Sequence, residues 1–319
     1  GTNALRDQTT GACNTAVGFQ AGLRTTTGCL NTGIGFEALK ANTTGEFNSA
    51  IGTNSLKLNT TGGENAGSGY NALAANSTGC KNSAFGKSSL EANTTASCNT
   101  ALGFSALKAT TTGNRNTAVG SCSLYTNTTG TRNLALGHEA LKANTSGADN
   151  TAVGLESLDA NTTGVSNVAV GGNSLGSNTT GGDNSGVGCN ALGANTTGCK
   201  NTAVGAFALD TNTEGDENVA VGRSTLTANT TGERNTAVGV SALGTNTTGD
   251  FNVGIGHGAL ELNTTADNNT AVGYQSLDAN TEGHSNVGVG KGSLSANTTA
   301  DNNTAVGFNA LADNTTGAD

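Results

Sequence analysis

The chain has 319 residues, a formal net charge of −9 at pH 7, 49 glycines, 3% aromatic residues and no proline, methionine or tryptophan. Neither a basic stripe nor a set of aromatic stacking residues is present, which excludes nucleic acid as a predicted partner. The sequence also lacks an apolar run of the length a transmembrane helix needs, so we expect no membrane insertion.

A seventeen-residue repeat, roughly Asn-Thr-Ala-Val-Gly-x-x-Ala-Leu-x-x-Asn-Thr-Thr-Gly-x-x, occupies almost the whole chain. A partial copy at residues 1–13 precedes eighteen complete copies, which run without insertion or deletion from Asn14 to the copy that begins at Asn303. We number the positions within a copy as places 1 to 17. This continuity predicts a single repeat domain over residues 1–319, although the length alone would favour two or three domains.

The length of the repeat indicates the fold. A unit with a fixed short period cannot bury its apolar face alone and must stack on its neighbours. Seventeen residues are too few for a pair of packed helices and too many for a heptad, and Asn, Thr and Gly disfavour long helices but suit short strands and tight turns. We therefore predict an all-β protein, a parallel β-solenoid or β-roll of about 18 coils of 17 residues each.

Places 2 to 4, which are Thr15, Ala16 and Val17 in the first complete copy, form the predicted strand. Side chains alternate along a strand, and place 4 is apolar in every copy except for Ser68. We therefore predict that places 2 and 4 face the interior and that place 3 faces outward. On the second side of the coil, the leucine at place 9 is predicted to point inward from a short strand or from a single helical turn.

Two places are restricted to small residues. Place 3 is always Ala or Gly, and place 8 is always Ala, Ser or Thr. Either the coil interior is too thin for larger side chains, or another chain approaches closely, as in a parallel trimer. The second explanation makes Ala152, Ala169 and Ala203 candidate interface residues.

Other columns of identical residues are predicted to hold the coils together. Asparagines should stack in amide ladders about 4.8 Å apart, and the glycine at place 5 should adopt a positive φ or allow close approach of adjacent coils. The first members of these columns are Asn14, Asn31 and Asn48 at place 1, Gly18, Gly35 and Gly52 at place 5, Leu39 and Leu56 at place 9, and Asn42 and Asn59 at place 12.

Seven cysteines are present. The pairs Cys13–Cys29 and Cys80–Cys98 occupy places 16 and 17 of successive coils, so they could form disulfides at one corner, which would suit an oxidising, extracellular setting. The alternative is that all are unpaired surface thiols. No Cys-x-x-Cys spacing occurs, so we predict no metal site among them.

Catalytic residue patterns do not recur along the chain. His138, His257 and His284 lie at variable places in separate coils, and neither a Ser-His-Asp grouping nor paired carboxylates repeat. We predict a protein without enzymatic activity, catalytic residues or cofactor. The charges are uneven, with ten Lys or Arg against nine Asp or Glu in residues 1–160 and four against fourteen in residues 161–319, and an acidic surface is typical of solubility.

The Asn-Thr-Thr tract that begins at place 12 has two further interpretations. Fourteen copies match the Asn-x-Ser/Thr glycosylation sequon. A threonine ladder with one member per coil also suggests an ice-binding β-solenoid, although ice-binding faces usually carry Thr-x-Thr on a flat strand, whereas this tract leads into a glycine corner. Ice binding is the alternative function that we keep.

The repeat at residues 201–215 and 235–249 resembles the repeats of bacterial and phage tail-fibre-like proteins. Its Asn-x-Ala-Val-Gly core is also similar to the head repeat of trimeric autotransporter adhesins, although that repeat is shorter. The resemblance implies a left-handed parallel β-roll in an extracellular, cell-surface or virion fibre. It also implies a homo-oligomer, either a trimer or a filament, that attaches to a host or cell-surface receptor.

Overall fold

The computed structural model describes residues 1–317 as consecutive seventeen-residue coils, each with one three-residue strand. The chain divides into two compact units, Gly1–Thr163 and a second that begins at Gly164. The strands of the first unit are β1 (Thr15–Val17), β2 (Thr32–Ile34), β3 (Ser49–Ile51), β4 (Ala66–Ser68), β5 (Ser83–Phe85), β6 (Thr100–Leu102), β7 (Thr117–Val119), β8 (Leu134–Leu136) and β9 (Thr151–Val153).

The second unit repeats the same arrangement. Its strands are β10 (Val168–Val170), β11 (Ser185–Val187), β12 (Thr202–Val204), β13 (Val219–Val221), β14 (Thr236–Val238), β15 (Val253–Ile255), β16 (Thr270–Val272), β17 (Val287–Val289) and β18 (Thr304–Val306). Within each unit every strand pairs in parallel with the next, and each residue lies opposite the residue seventeen positions later, as Ala118 lies opposite Ala135. The predicted all-β parallel β-solenoid is confirmed.

In the described part of the chain, residues 1–317, no helix has the length and apolarity that crossing a bilayer requires.

The second side of each coil is a series of turns in place of the strand or helical turn that the sequence predicts. Place 9 has a left-handed backbone in every copy from Leu39 to Leu311, with φ between 48° and 56°. Backbone hydrogen bonds to the next coil hold these turns, for example from Leu124 N to Ala140 O at 3.0 Å and from Thr126 N to Lys142 O at 3.0 Å. Hydrogen bonding between coils therefore offsets the cost of a conformation that leucine rarely adopts.

The interior of the coil is a thin layer of small side chains and leucines. Leu56 and Leu124 at place 9 have no exposed surface, and neither do Ala118 at place 3 and Ala106 at place 8. The inward orientation of the leucines is as the sequence predicts. One leucine per coil packs against two methyl-sized neighbours, so each coil has very little room for additional atoms.

Two buried ladders of asparagine side chains run along the units. Asn48 Oδ1 accepts hydrogen bonds from both the backbone N and Nδ2 of Asn65, at 3.0 and 3.1 Å. Asn59 Nδ2 donates to Asn42 Oδ1 at 2.8 Å. The carbonyl oxygen of Gly62 accepts from Asn48 Nδ2 at 2.8 Å and from Asn59 Nδ2 at 2.9 Å, which joins the two ladders at each coil. These asparagines are scaffold, because their amides are used inside the coil and do not face a ligand.

The glycines at place 5 form the corner after each strand. Their φ lies between 125° and 144°, a region that favours glycine. A Cβ on Gly103 would lie 2.5 Å from the carbonyl oxygen of Gly120 in the next coil. Both predicted reasons for glycine at this place, a positive φ and close approach of the coils, therefore apply together.

Candidate interaction surface

The outer face of each strand is formed by places 2 and 4, the reverse of the prediction. Val187, Val204 and Val221 at place 4 are 39%, 39% and 36% exposed, whereas Ala at place 3 between the two outward residues is buried. The cause is the thin interior. A Cβ added at Gly33 would already lie 3.4 Å from the carbonyl oxygen of Ala38 and 3.7 Å from Leu39 Cδ1, so the site accepts a methyl group but not a valine side chain.

The candidate interface alanines therefore lie on the inner side of the strand, and the prediction that place 3 faces outward is wrong. Ala152, Ala169 and Ala203 have no exposed surface. Their restriction to Ala or Gly reflects the confined interior, the first of the two explanations that the sequence allows. The place 4 side chains next to these alanines face outward instead.

We call the outward side chains of places 2 and 4 the strand face. Place 4 is Val, Ile, Leu or Phe in seventeen of the eighteen coils, and place 2 is most often Thr, Val or Ser. With three residues of about 3.3 Å and nine strands about 4.8 Å apart, the strand face of one unit measures about 10 by 43 Å, or about 430 Å². The largest exposed patch on a typical monomer has about this size and is often functional.

Place 6, which follows the corner glycine and varies freely in sequence, carries aromatic side chains that stack on one another or on cations. Phe19 and Phe36 stack with ring centroids 5.3 Å apart. Lys87 Nζ lies 6.0 Å from the Tyr70 ring centroid and 5.8 Å from that of Phe104. Aromatic residues that are scattered in the sequence thus form local clusters beside the strand face, because residues seventeen apart are neighbours.

The second unit contains a matching cluster at place 6. His257 and Tyr274 stack at 5.5 Å, and Lys291 Nζ lies 5.6 Å from the Tyr274 ring and 5.7 Å from the Phe308 ring. The sequence shows no aromatic cluster when it is read as a line, and a search at intervals of seventeen residues would have found both.

The threonines of the Asn-Thr-Thr tract differ in role. Thr43 at place 13 is half-buried, and its Oγ1 donates to Thr60 O at 3.1 Å. Thr44 at place 14 is exposed and belongs to an outward column along the units. The asparagine of the same tract is buried, as Asn42 and Asn59 are, so a folded coil does not offer the sequon nitrogen to a glycosylating enzyme.

All seven cysteines lie within the described residues and are free thiols. The predicted disulfides Cys13–Cys29 and Cys80–Cys98 are therefore not formed in this structure. The reason is the register, because each place lies beside the same place of the next coil. Cys29 Sγ accepts from Ala12 N of the preceding coil at 3.4 Å, and Cys80 Sγ donates to Thr78 O of its own coil at 3.4 Å, so these place 16 thiols contact backbone atoms.

Charged side chains at place 17 form rows of opposite charge across coils. Lys200 Nζ lies 3.2 Å from Glu217 Oε1, and Arg234 Nε lies 3.0 Å from Glu217 Oε2. Arg234, followed by Lys200, lowers the pKa of the Glu217 carboxyl. These groups are well exposed, so the row is compatible with the fold but adds little to its stability.

Three aspartates at place 10 have a pKa that is raised, whereas the pKa of Glu217 is lowered. Burial raises the pKa of Asp159, Asp210 and Asp278, and in Asp159 the charge of Glu156 adds to the effect. Oδ1 of Asp278 is buried without a hydrogen-bond partner. The turn side of the coil therefore desolvates acidic groups that the sequence presents as ordinary surface residues.

Among the described residues, one group of side chains has the composition of a metal site. His138, Glu139 and Glu156 each offer a ligand atom, and these atoms lie within 4.8 Å of one another. His257 and His284 are not part of such a group. The sequence prediction of no metal site rests on cysteine spacing and on histidines in separate coils, and it does not take account of contacts between coils.

No known protein-family model matches this chain, and no curated protein matches it either.

Proposed function

We propose that the protein is a non-enzymatic structural fibre or adhesin segment that self-associates through the strand face. The observation that supports this most is the apolar column at place 4, of whose seventeen apolar residues eleven are exposed and six are half-buried. Contiguous exposed apolar patches on soluble proteins are often functional. The proposal includes the extracellular, cell-surface or virion location and the relation to tail-fibre and adhesin repeats that the sequence motif suggests.

A second copy of this chain is the partner that fits the strand face best. Another copy presents the same side chains with the same spacing of about 4.8 Å, so contacts can repeat at every coil. A partner without this period would match only locally. Two facing copies would bury about 860 Å² for each pair of facing units, the size of a small interface.

The test is the mass of the protein in solution, measured by light scattering over a range of concentrations. We expect a multiple of the 31.1 kDa chain mass. The variant Val187→Lys, Val204→Glu, Val221→Lys should have the monomer mass, because association would bury charges that are exposed in the monomer. Its three charges copy the native Lys200–Glu217–Arg234 row, so the coils should remain folded.

The matched control puts the same charge pattern on the exposed column at place 14. Thr197→Lys and Thr231→Lys lie on either side of Glu214, and we expect this variant to keep the oligomer mass. A strictly monomeric wild-type protein, or equal dissociation by the control, would contradict association through the strand face.

Ice binding remains a second candidate because the corrected strand orientation supports it. Strands such as β12 and β14 present Thr and Val outward on a parallel sheet, with a fixed spacing that could order water. This function predicts thermal hysteresis from a monomer, with loss of the effect in the Lys-Glu-Lys variant at place 4. The fibre proposal predicts an oligomer without hysteresis.

A further inference from the structure

We propose that His138, Glu139 and Glu156 form a binding site for a divalent transition-metal ion such as Zn²⁺. An imidazole nitrogen and one oxygen from each carboxylate lie within 4.8 Å of one another. The site lies at the corner that follows β8 and β9 in the first unit, beside the strand face, and uses none of the place 2 and place 4 residues that form that face. It goes beyond the proposed structural function.

The repeat brings these three residues together. His138 and Glu139 occupy places 6 and 7 of one coil, and Glu156 occupies place 7 of the next coil. The backbone N of Glu156 donates to the carbonyl oxygen of His138 at 3.0 Å. Because this hydrogen bond belongs to the coil scaffold, the starting points of the three side chains are fixed before any ion binds.

The donor set suits zinc. Zn²⁺ accepts histidine nitrogen and carboxylate oxygen at about 2.0–2.2 Å, commonly with three protein ligands and water in the remaining position. Ligand atoms around such an ion lie about 3.3 Å apart, so the three side chains need to move inward by at most about 1 Å. His138 and Glu156 are exposed and Glu139 is half-buried, so side-chain rotation can supply this movement.

The charges around the site also favour a cation. Glu139 and Glu156 together balance the two charges of the ion. Asp159 is a third carboxyl group close enough for its charge to interact with that of Glu156. The neighbouring cation is Lys142, whose Nζ lies 3.0 Å from Glu139 Oε2. Negative charge is therefore in excess at this position, and a bound divalent ion would relieve the repulsion between the carboxylates.

The other histidines supply matched comparisons within the same chain. His257 also occupies place 6, but it is followed by Gly258, and place 7 of the next coil is Gln275. Its ring stacks on Tyr274. An equivalent histidine thus exists at the same place of the coil without the two carboxylates that the proposed site requires.

The experiment uses the full chain without a histidine tag and with all seven cysteines replaced by serine, because thiols also bind zinc. Serine occurs naturally at each of these places in other coils, so the replacement should preserve the fold. Isothermal titration with ZnCl₂ should show one site per chain. His138→Ala and Glu156→Gln should each weaken binding by about tenfold or more, as expected for loss of one ligand.

His257→Ala is the control and should leave the zinc affinity unchanged. Circular dichroism of each variant should show the same fold. Absence of zinc binding by the folded protein would overturn the proposal, and so would equal weakening by His257→Ala and His138→Ala. Neither result depends on the oligomer mass, so the metal site and the proposed function succeed or fail separately.

Discussion

Replacement of Gly103 by alanine should lower the free energy of unfolding by about 2–6 kcal/mol. Alanine at a φ of 141° is strained, and its Cβ would lie 2.5 Å from Gly120 O and 2.7 Å from Gly120 C. The expected loss combines about 1–3 kcal/mol of backbone strain with about 1–3 kcal/mol of steric overlap. Chemical denaturation followed by circular dichroism measures it.

Gly172→Ala is the control for this prediction. A Cβ at Gly172 would have no atom within 4 Å, so the same substitution should change the free energy of unfolding by less than about 0.5 kcal/mol. If both variants were equally stable, the close approach of coils at place 5 would not be a feature of the protein in solution.

Leu124→Ala should destabilise the protein by about 2–5 kcal/mol, the usual range for a fully buried leucine. Leu124 has no exposed surface and lies between small side chains that cannot expand into the space. Because one leucine per coil supplies most of the apolar volume, its loss leaves a cavity that the turns cannot close. The denaturation midpoint in urea reports the change.

Leu58→Ala provides the comparison at an exposed leucine. Leu58 occupies place 11 of its coil and is 51% exposed, so we expect a loss of less than about 1 kcal/mol. Similar losses in the two variants would show that place 9 does not line the core.

The columns of identical residues were predictable from the sequence. Asn48, Gly52 and Leu56 each stand in a column that has a single physical explanation: a buried amide ladder, a positive φ at a corner, and an inward apolar side chain. The period gives the spatial neighbour of every residue, so the parallel register follows directly once one coil is known to contain seventeen residues.

The orientation of the strand was not predictable by the rule that apolar residues point inward. Alternation leaves two orientations open, and the sequence prediction chose the one that buries valine. In Ser185–Val187, however, the interior has room only for Gly186 between the turns and the strand. The restriction of place 3 to Ala or Gly was the informative signal, and it indicated confinement inside the coil.

Other features depend on local conformations that sequence patterns do not reveal. Left-handed leucines such as Leu124 are rare in proteins, and nothing in their flanking residues predicts them. The group of His138, Glu139 and Glu156 also goes unnoticed when motifs are sought along the chain, because one member comes from the next coil. Comparing each residue with the one seventeen positions later would have detected it.

The reversed orientation changes how the repeat relates to function. If places 2 and 4 were buried, the outer strand surface would be a smooth row of alanines. Because places 2 and 4 are exposed, the strand face of each unit instead carries rows of Val, Ile and Thr side chains. These rows can interdigitate with an identical surface. The proposed self-association therefore depends on which side of the strand faces water.

Engineered disulfides test this orientation and the seventeen-residue coil most directly. In the background without native cysteines, Val187→Cys with Val204→Cys puts two thiols on adjacent strands about 4.8 Å apart and on the same outward face. We predict an intramolecular disulfide under mild oxidation, seen as loss of both free thiols in chains that migrate singly on a denaturing, non-reducing gel. Val187→Cys with Ala203→Cys should not cross-link, because Ala203 faces inward. Cross-linking of the second pair in preference to the first would contradict the structure and the function proposed from it.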